Sequence, residues 1–246
     1  MLGNVFAPGS EMDMRRWWWL SWMIVAAAMP ALAQERPAPK PPARPEPGLY
    51  MTFVTSMGNI HCRLFPHRAP IAVHTIVGLA TGRLPYIDPR THKRVAGRPF
   101  YDGIIFHRVV PKFMIQAGDP TGTGEHSAEG PGFPYKNEIS PSLTFDRPGR
   151  LALANEGNAD SNGSQFFITV APVPRLNGGF TIFGQCGDLN VVNSIANVPR
   201  GAHNRPLRPV VIRRVIVRRI RGEEHPATRP EESRGAARNQ PPARQR

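Results

Sequence analysis

A chain of 246 residues is long enough for one good-sized domain with appendages. Its formal charge of +13 would suit a nucleic-acid partner, but 13 arginines against 4 glutamates, a surplus of +9, fall from Arg200 onward, so the body is not marked as a polyanion binder and no nucleic-acid partner is expected. Two cysteines, and eight histidines without an HExxH pattern, argue against a metal site, and no cofactor is expected.

The chain opens with Arg15-Arg16, an apolar run from Trp17 to Ala28, and Ala31-Leu32-Ala33. A basic start, a short greasy middle and an A-x-A end make a secretory signal peptide over residues 1–33, with Met12 or Met14 as the start that fits the basic region. The run is shorter than the roughly 20 apolar residues that span a bilayer. A periplasmic or secreted protein is therefore expected. Residues 34–48, with the stretch ERPAPKPPARPEPG, form a proline-rich linker without an apolar face.

A folded domain is expected over residues 49–221. Leu49 to Phe65 reads as two strands around the turn Ser56-Met57-Gly58-Asn59, burying Phe53, Ile60, Leu64 and Phe65. Ala69 to Gly82 carries Ile71, Val73, Ile76, Val77 and Ala80 at helical spacing, with Pro70 near its start and Gly82 at its end. Arg83 to Pro99 lacks a strong period and reads as an inserted loop or small exposed hairpin. Short strands follow at FYDGIIFHRVV, KFMIQAG, RLALAN, SQFFITV, TIFGQC and VVIRRVIVRRI, with a helical turn at Asp188 to Val198. Many short strands and few helices predict a mainly β fold, a closed or nearly closed barrel with helical caps. Residues 222–246 are polar and of mixed charge and read as a disordered basic tail, in weak contact with anionic surfaces at most. Cys62 and Cys186 both lie in strand-like contexts. Export permits a disulfide between them, but two separated buried thiols are the commoner arrangement and are expected here.

Two stretches do not look like core strands. In FHRVVPKFMIQAGDPTGTG, the two-residue period places Phe106 and Arg108 on one face, and Met114 and Gln116 share a face after Pro111 breaks the run. In NGSQFFITV, Gln165 and Phe167 alternate onto one face while Phe166 and Ile168 take the other. Each strand sets an amide beside an apolar side chain. Singly, an arginine on a strand is a surface charge and a phenylalanine is core. The GDPTGTG segment lacks the Gly-Lys-Ser/Thr ending of a phosphate loop and reads as a tight turn.

Together with LALANEG and the entry FYDGIIFHRV, these motifs resemble in order and spacing those of the cyclophilins, the peptidyl-prolyl cis-trans isomerases, over Leu49 to Arg221, with bacterial members the nearest in pattern. The resemblance implies a closed eight-stranded antiparallel β-barrel capped by two α-helices, with the active groove on its outer face. It implies that Arg108 is the catalytic arginine and that Phe113, Met114 and Phe167 take the proline ring. Leu176 would line the pocket wall, and Gln116, Asn155, Gln165 and Phe180 would complete the groove. Proline-containing polypeptides are the implied partners, folding assistance the implied task, and a monomer the expected state. The sequence departs from the eukaryotic pattern at Arg175, which stands where many members have Trp, at Phe180, where they have His, and at Glu156, where Ala is usual. These departures keep open a second reading, a proline-peptide-binding chaperone or scaffold with little turnover.

Overall fold

The computed structural model describes residues 46–221. The expected signal peptide, most of the linker and the basic tail lie outside the described residues.

The first two strands, β1 (Gly48–Thr55) and β2 (Gly58–Leu64), alternate strictly: Met51, Phe53, Ile60, Cys62 and Leu64 point into the core while their neighbours do not. Only Ser56-Met57 form the turn between them, so the hairpin is tighter than the sequence suggested. Phe65 lies beyond β2 and is half-buried against a second apolar cluster. Helix α1 (Pro70–Ala80) begins at its proline and buries Ala72, Val73, Ile76, Leu79 and Ala80. Its own sequence offers no side-chain cap. Glu138, far along the chain, accepts hydrogen bonds from the Ile71 and Ala72 amides at 3.0 and 2.8 Å and sets a carboxylate at the positive end of the helix dipole. The segment after α1 is the small hairpin, β3 (Tyr86–Asp88) with β4 (Lys93–Val95).

The remaining strands are β5 (Arg108–Val110), β6 (Met114–Ala117), β7 (Arg150–Leu153), β8 (Phe166–Thr169), β9 (Ile182–Cys186) and β10 (Ile212–Ile220). Helix α2 (Leu189–Ala196) and two 3-10 turns, Pro174–Leu176 and Ala202–Asn204, complete the described elements. All but β3 and β4 join one antiparallel sheet in the order β10-β1-β2-β9-β7-β8-β6-β5, with Gly48 opposite Ile220 at one end of the β1–β10 ladder.

This sheet curls, but its ladder is not a closed ring. Its end strands β5 and β10 do not pair. A single bridge, Ile105 with Val211, and backbone bonds from Gly103 to Ile212, Phe106 to Val210 and Ile212 to Ile104 cross the seam just before β5 begins. The chain leaves strand geometry there, so the two-residue period fails across it. Phe106 is fully buried while Arg108 is exposed, and the two do not share a face.

Inside the curl, Phe166 stacks on Phe53 with ring centroids 4.8 Å apart and meets Tyr101 edge-on at 5.7 Å. Ile76 and Leu79 of α1 and Val192 and Ile195 of α2 close the same core. The outer face of β6, β7 and β8 carries a second cluster built on Met114, Phe145, Ala152, Phe167, Val173 and Ile182.

The cysteines overturn the expectation of separate thiols. Cys62 on β2 and Cys186 on β9 are direct cross-strand partners and form a disulfide. A separation of 124 residues concealed that they are neighbours, because the pairing of β2 with β9 is a long-range fact.

Candidate active site

The site is assembled by strand register. Arg108 lies opposite Gln116 on the β5–β6 pair, and Gln116 lies opposite Phe167 on the β6–β8 pair. Gln116 Oε1 accepts a hydrogen bond from Arg108 Nη1 at 3.3 Å, and Gln116 Nε2 donates to Gln165 Oε1 at 2.9 Å. Gln165 Nε2 in turn donates to the carbonyls of Gly124 and His126 at 3.1 and 2.9 Å. Two fixed carbonyls thus set the direction of both amides, and the last oxygen in the relay faces the guanidinium.

The loop that supplies those carbonyls is organised by Asp119. This buried carboxylate accepts from the Thr121, Gly124 and His126 amides and from the hydroxyls of Thr121 and Thr123. Burial works to raise its pKa, but the hydrogen bonds outweigh burial and hold it below the ordinary carboxylate value. Sequence reasoning read this stretch only as a tight turn; the signal it passed over was an Asp followed by Thr at two and four positions, the spacing of side chains that bond back to local backbone. Gly118, just before it, has φ +103° and a backbone so close that a Cβ would lie 2.3 Å from the Ser164 carbonyl oxygen, which leaves room only for glycine.

Beside the amides, Phe113, Met114, Phe167, Leu176 and Phe180 converge on the outer apolar cluster. Met114 and Phe167 are nearly fully buried and form its floor, and Phe180 meets Phe167 edge-on at 5.5 Å. Phe145 stacks beneath Phe167 at 5.8 Å, a contributor without sequence signal because it lies in an irregular segment between β6 and β7. Asn155 follows β7; its side chain donates to the Gly179 carbonyl at 2.9 Å, while its own main-chain groups make no hydrogen bond among the described residues. Two cavities flank Gln116. One, of about 570 Å³, is bounded by His107, Arg108, Thr123, His203 and Arg205. The other, of about 340 Å³, is bounded by Glu125, Asn155, Glu156 and Gln165. The sequence-predicted site residues thus fall into two adjoining groups, Arg108, Gln116, Asn155 and Gln165 along the two cavities, and Phe113, Met114, Phe167, Leu176 and Phe180 on the outer apolar cluster. Among the described residues no group of three or more His, Cys, Asp or Glu side chains is placed to hold a metal ion.

His107 lies under the loop, 5% exposed, with neither ring nitrogen hydrogen-bonded. Burial drives its pKa down to about 4, helped by Arg205 and Arg108 and opposed by Asp119. Because the folded value lies below the ordinary 6.5, the unfolded chain takes up the extra proton first. Stability therefore falls as pH drops from about 6.5 to about 4, by at most about 3 kcal/mol. The depressed Asp119 contributes its loss only below that window, as pH falls through and beneath 3.8. Urea unfolding at pH 7 and pH 4.5 is expected to show this loss in the native chain and a flatter dependence in His107→Gln; equal slopes would exclude His107 as the source.

Chemically, the groove offers an apolar floor for a ring and, at its edge, a guanidinium with no carboxylate within salt-bridge distance among the described residues. The chain matches the family model described as cyclophilin type peptidyl-prolyl cis-trans isomerase/CLD over residues 50–217. It is 44% identical over 173 residues to peptidyl-prolyl cis-trans isomerase B of Streptomyces anulatus, covering 69% of this chain and 96% of that protein. It is 45% identical over 169 residues to peptidyl-prolyl cis-trans isomerase A of Mycobacterium tuberculosis, covering 68% of this chain and 90% of that protein. The crystal structure of a Cryptosporidium parvum cyclophilin type isomerase superposes with a TM-score of 0.60 at 31% identity, covering 69% of this chain and 96% of that one. A second structure of that protein, in the presence of the dipeptide Ala-Pro, superposes with the same TM-score at 30% identity. A β-rich fold with two helices, a groove that sets one guanidinium beside an apolar floor, and this depth of likeness have one conclusion: the chain belongs to the cyclophilin type peptidyl-prolyl cis-trans isomerases and is an X-Pro isomerase.

Proposed function

We propose that the protein is exported, that it accelerates X-Pro isomerisation in client proteins of the periplasm or exterior, and that Arg108 carries the catalysis. Rotation about an X-Pro bond must break amide resonance against a barrier of about 18–20 kcal/mol, so the unassisted step takes tens of seconds. In the twisted state the proline nitrogen turns pyramidal and regains a lone pair. A guanidinium hydrogen bond to that lone pair exists only there, so it lowers the barrier by differential binding and needs neither proton transfer nor a nucleophile. Phe113, Met114, Phe167, Leu176 and Phe180 hold the proline ring and exclude water. Gln116, steadied by Gln165, orients Arg108, and the unused main-chain groups of Asn155 pair with the client backbone.

The observation that carries this reading is the relay from the Gly124 and His126 carbonyls through Gln165 and Gln116, which ends on an arginine at the edge of the apolar floor. The export half rests on the order of residues 15–33 in the sequence. It is tested by fractionating cells and sequencing the N-terminus of the accumulated protein. A chain starting at Gln34 in the periplasm or medium, which speeds the proline-limited refolding of an unfolded client, is the expected result. An uncleaved chain confined to the cytoplasm overturns the localisation and the client class together.

A further inference from the structure

Arg175, at the position where many relatives in the resemblance carry Trp, occupies the rim of the apolar floor. It is the middle residue of the 3-10 turn Pro174–Leu176, is exposed, and lays its guanidinium over the Phe113 ring, 4.6 Å from the centroid. The turn that bears it is anchored on both sides. Val173 before it is buried in the outer cluster and bonds to the Phe145 carbonyl at 2.8 Å, while Leu176 after it packs on the same cluster. Asn177 Oδ1 accepts from the Phe145 amide at 2.8 Å and ties down the exit. A guanidinium held over a ring is positioned beforehand and still has N–H groups to offer a planar, two-toothed acceptor.

No described residue supplies that acceptor: no carboxylate lies within salt-bridge distance of Arg175 or Arg108. Lys112, in the turn next to Phe113, adds a third exposed cation. Of the acidic side chains near the groove, Glu125 borders both cavities beside Gln116, the one lined by Arg108 included, and Glu156 borders only the second; neither pairs with Arg108 or Arg175. At Arg175 and Lys112 the Phe113 side of the floor is thus cationic, with no ion-pair partner among the described residues.

We propose that Arg175 is a specificity-determining residue that receives a carboxylate side chain of the client, an Asp or Glu within two residues of the bound proline. The proposal rests on the proline ring lying on the Phe113–Phe167 floor. An exposed pair of this kind is worth about fivefold in capture of the peptide. Preorganisation over the ring keeps the entropy cost of the arginine low, and salt screens the gain.

The test uses the full chain and a short peptide with one X-Pro bond among uncharged residues, varied to Glu, Gln or Lys at each of the two positions on either side of the proline. At one position kcat/KM is expected to favour Glu over Gln by about fivefold, through KM, and the ratio is expected to collapse when salt is raised to about 0.5 M. The Glu-to-Gln ratio is expected to fall to about one in Arg175→Gln, and in Arg175→Lys to keep only part of its value, because a point charge replaces a fork. A ratio that survives Arg175→Gln, or the lack of any Glu preference in a chain that turns over the uncharged peptide, overturns this proposal alone. No turnover of the uncharged peptide overturns the proline-floor reading and this proposal with it.

Discussion

Arg108→Ala is expected to lower the rate of cis-to-trans conversion of a short X-Pro peptide about 100-fold while leaving the fold intact. The size follows from the role: a fixed donor aimed at charge that appears only in the transition state is worth about 10²–10³ in rate. The lower end applies because Arg108 is exposed and shares solvent with the substrate. For the same reason unfolding free energy is expected to shift by no more than about 0.5 kcal/mol. Arg108→Lys keeps the charge but not the planar fork that Gln116 orients, so it is expected to lie between the two. Exchange spectroscopy on the peptide at matched folded concentration measures all three. A loss of less than about threefold in Arg108→Ala would falsify the assignment and move the catalysis to the apolar floor and backbone contacts.

Reduction of the Cys62–Cys186 disulfide is expected to cost about 5 kcal/mol of stability, a large share of what a domain of this size possesses. The bridge joins positions 124 residues apart, and a cross-link over so long a loop removes much of the freedom of the unfolded chain. It also lies in the core, with Cys62 at 1% and Cys186 at 3% exposure, so the native state gives reductant little access. Guanidinium unfolding with and without a strong thiol reductant reads the difference. A thiol assay on the denatured, unreduced protein is expected to find none; two free thiols, or unchanged midpoints, would refute the bridge.

The parts of the molecule legible in the sequence are those with a local period. Helix α1 announces itself by Ile76, Val77 and Ala80 after Pro70, and β6 and β8 by the alternation of Met114 with Gln116 and of Gln165 with Phe167. That alternation sets an amide beside an apolar side chain on each strand, whereas the groove itself, with Phe113, Asn155, Leu176 and Phe180, is implied by the resemblance to the cyclophilins and by no local period. What escaped depends on distant pairings. The Glu138 cap on α1, the disulfide, and the support of Gln165 by the Gly124 and His126 carbonyls each join segments that no local pattern connects. The error over Phe106 and Arg108 has a different origin. The period was carried through a stretch where the chain crosses the sheet seam and is not a strand.

The pairing of Gly48 with Ile220 sets the two ends of the folded domain on neighbouring strands. A few residues of Gly and Ser would join them without disturbing the β1–β10 ladder, and the exposed tip between β3 and β4 offers a place to cut the chain anew. The order in which the strands are synthesised is thus separable from the arrangement they reach. A circularly permuted chain that opens at that tip is expected to carry the groove unchanged, with its ends relocated to the small hairpin.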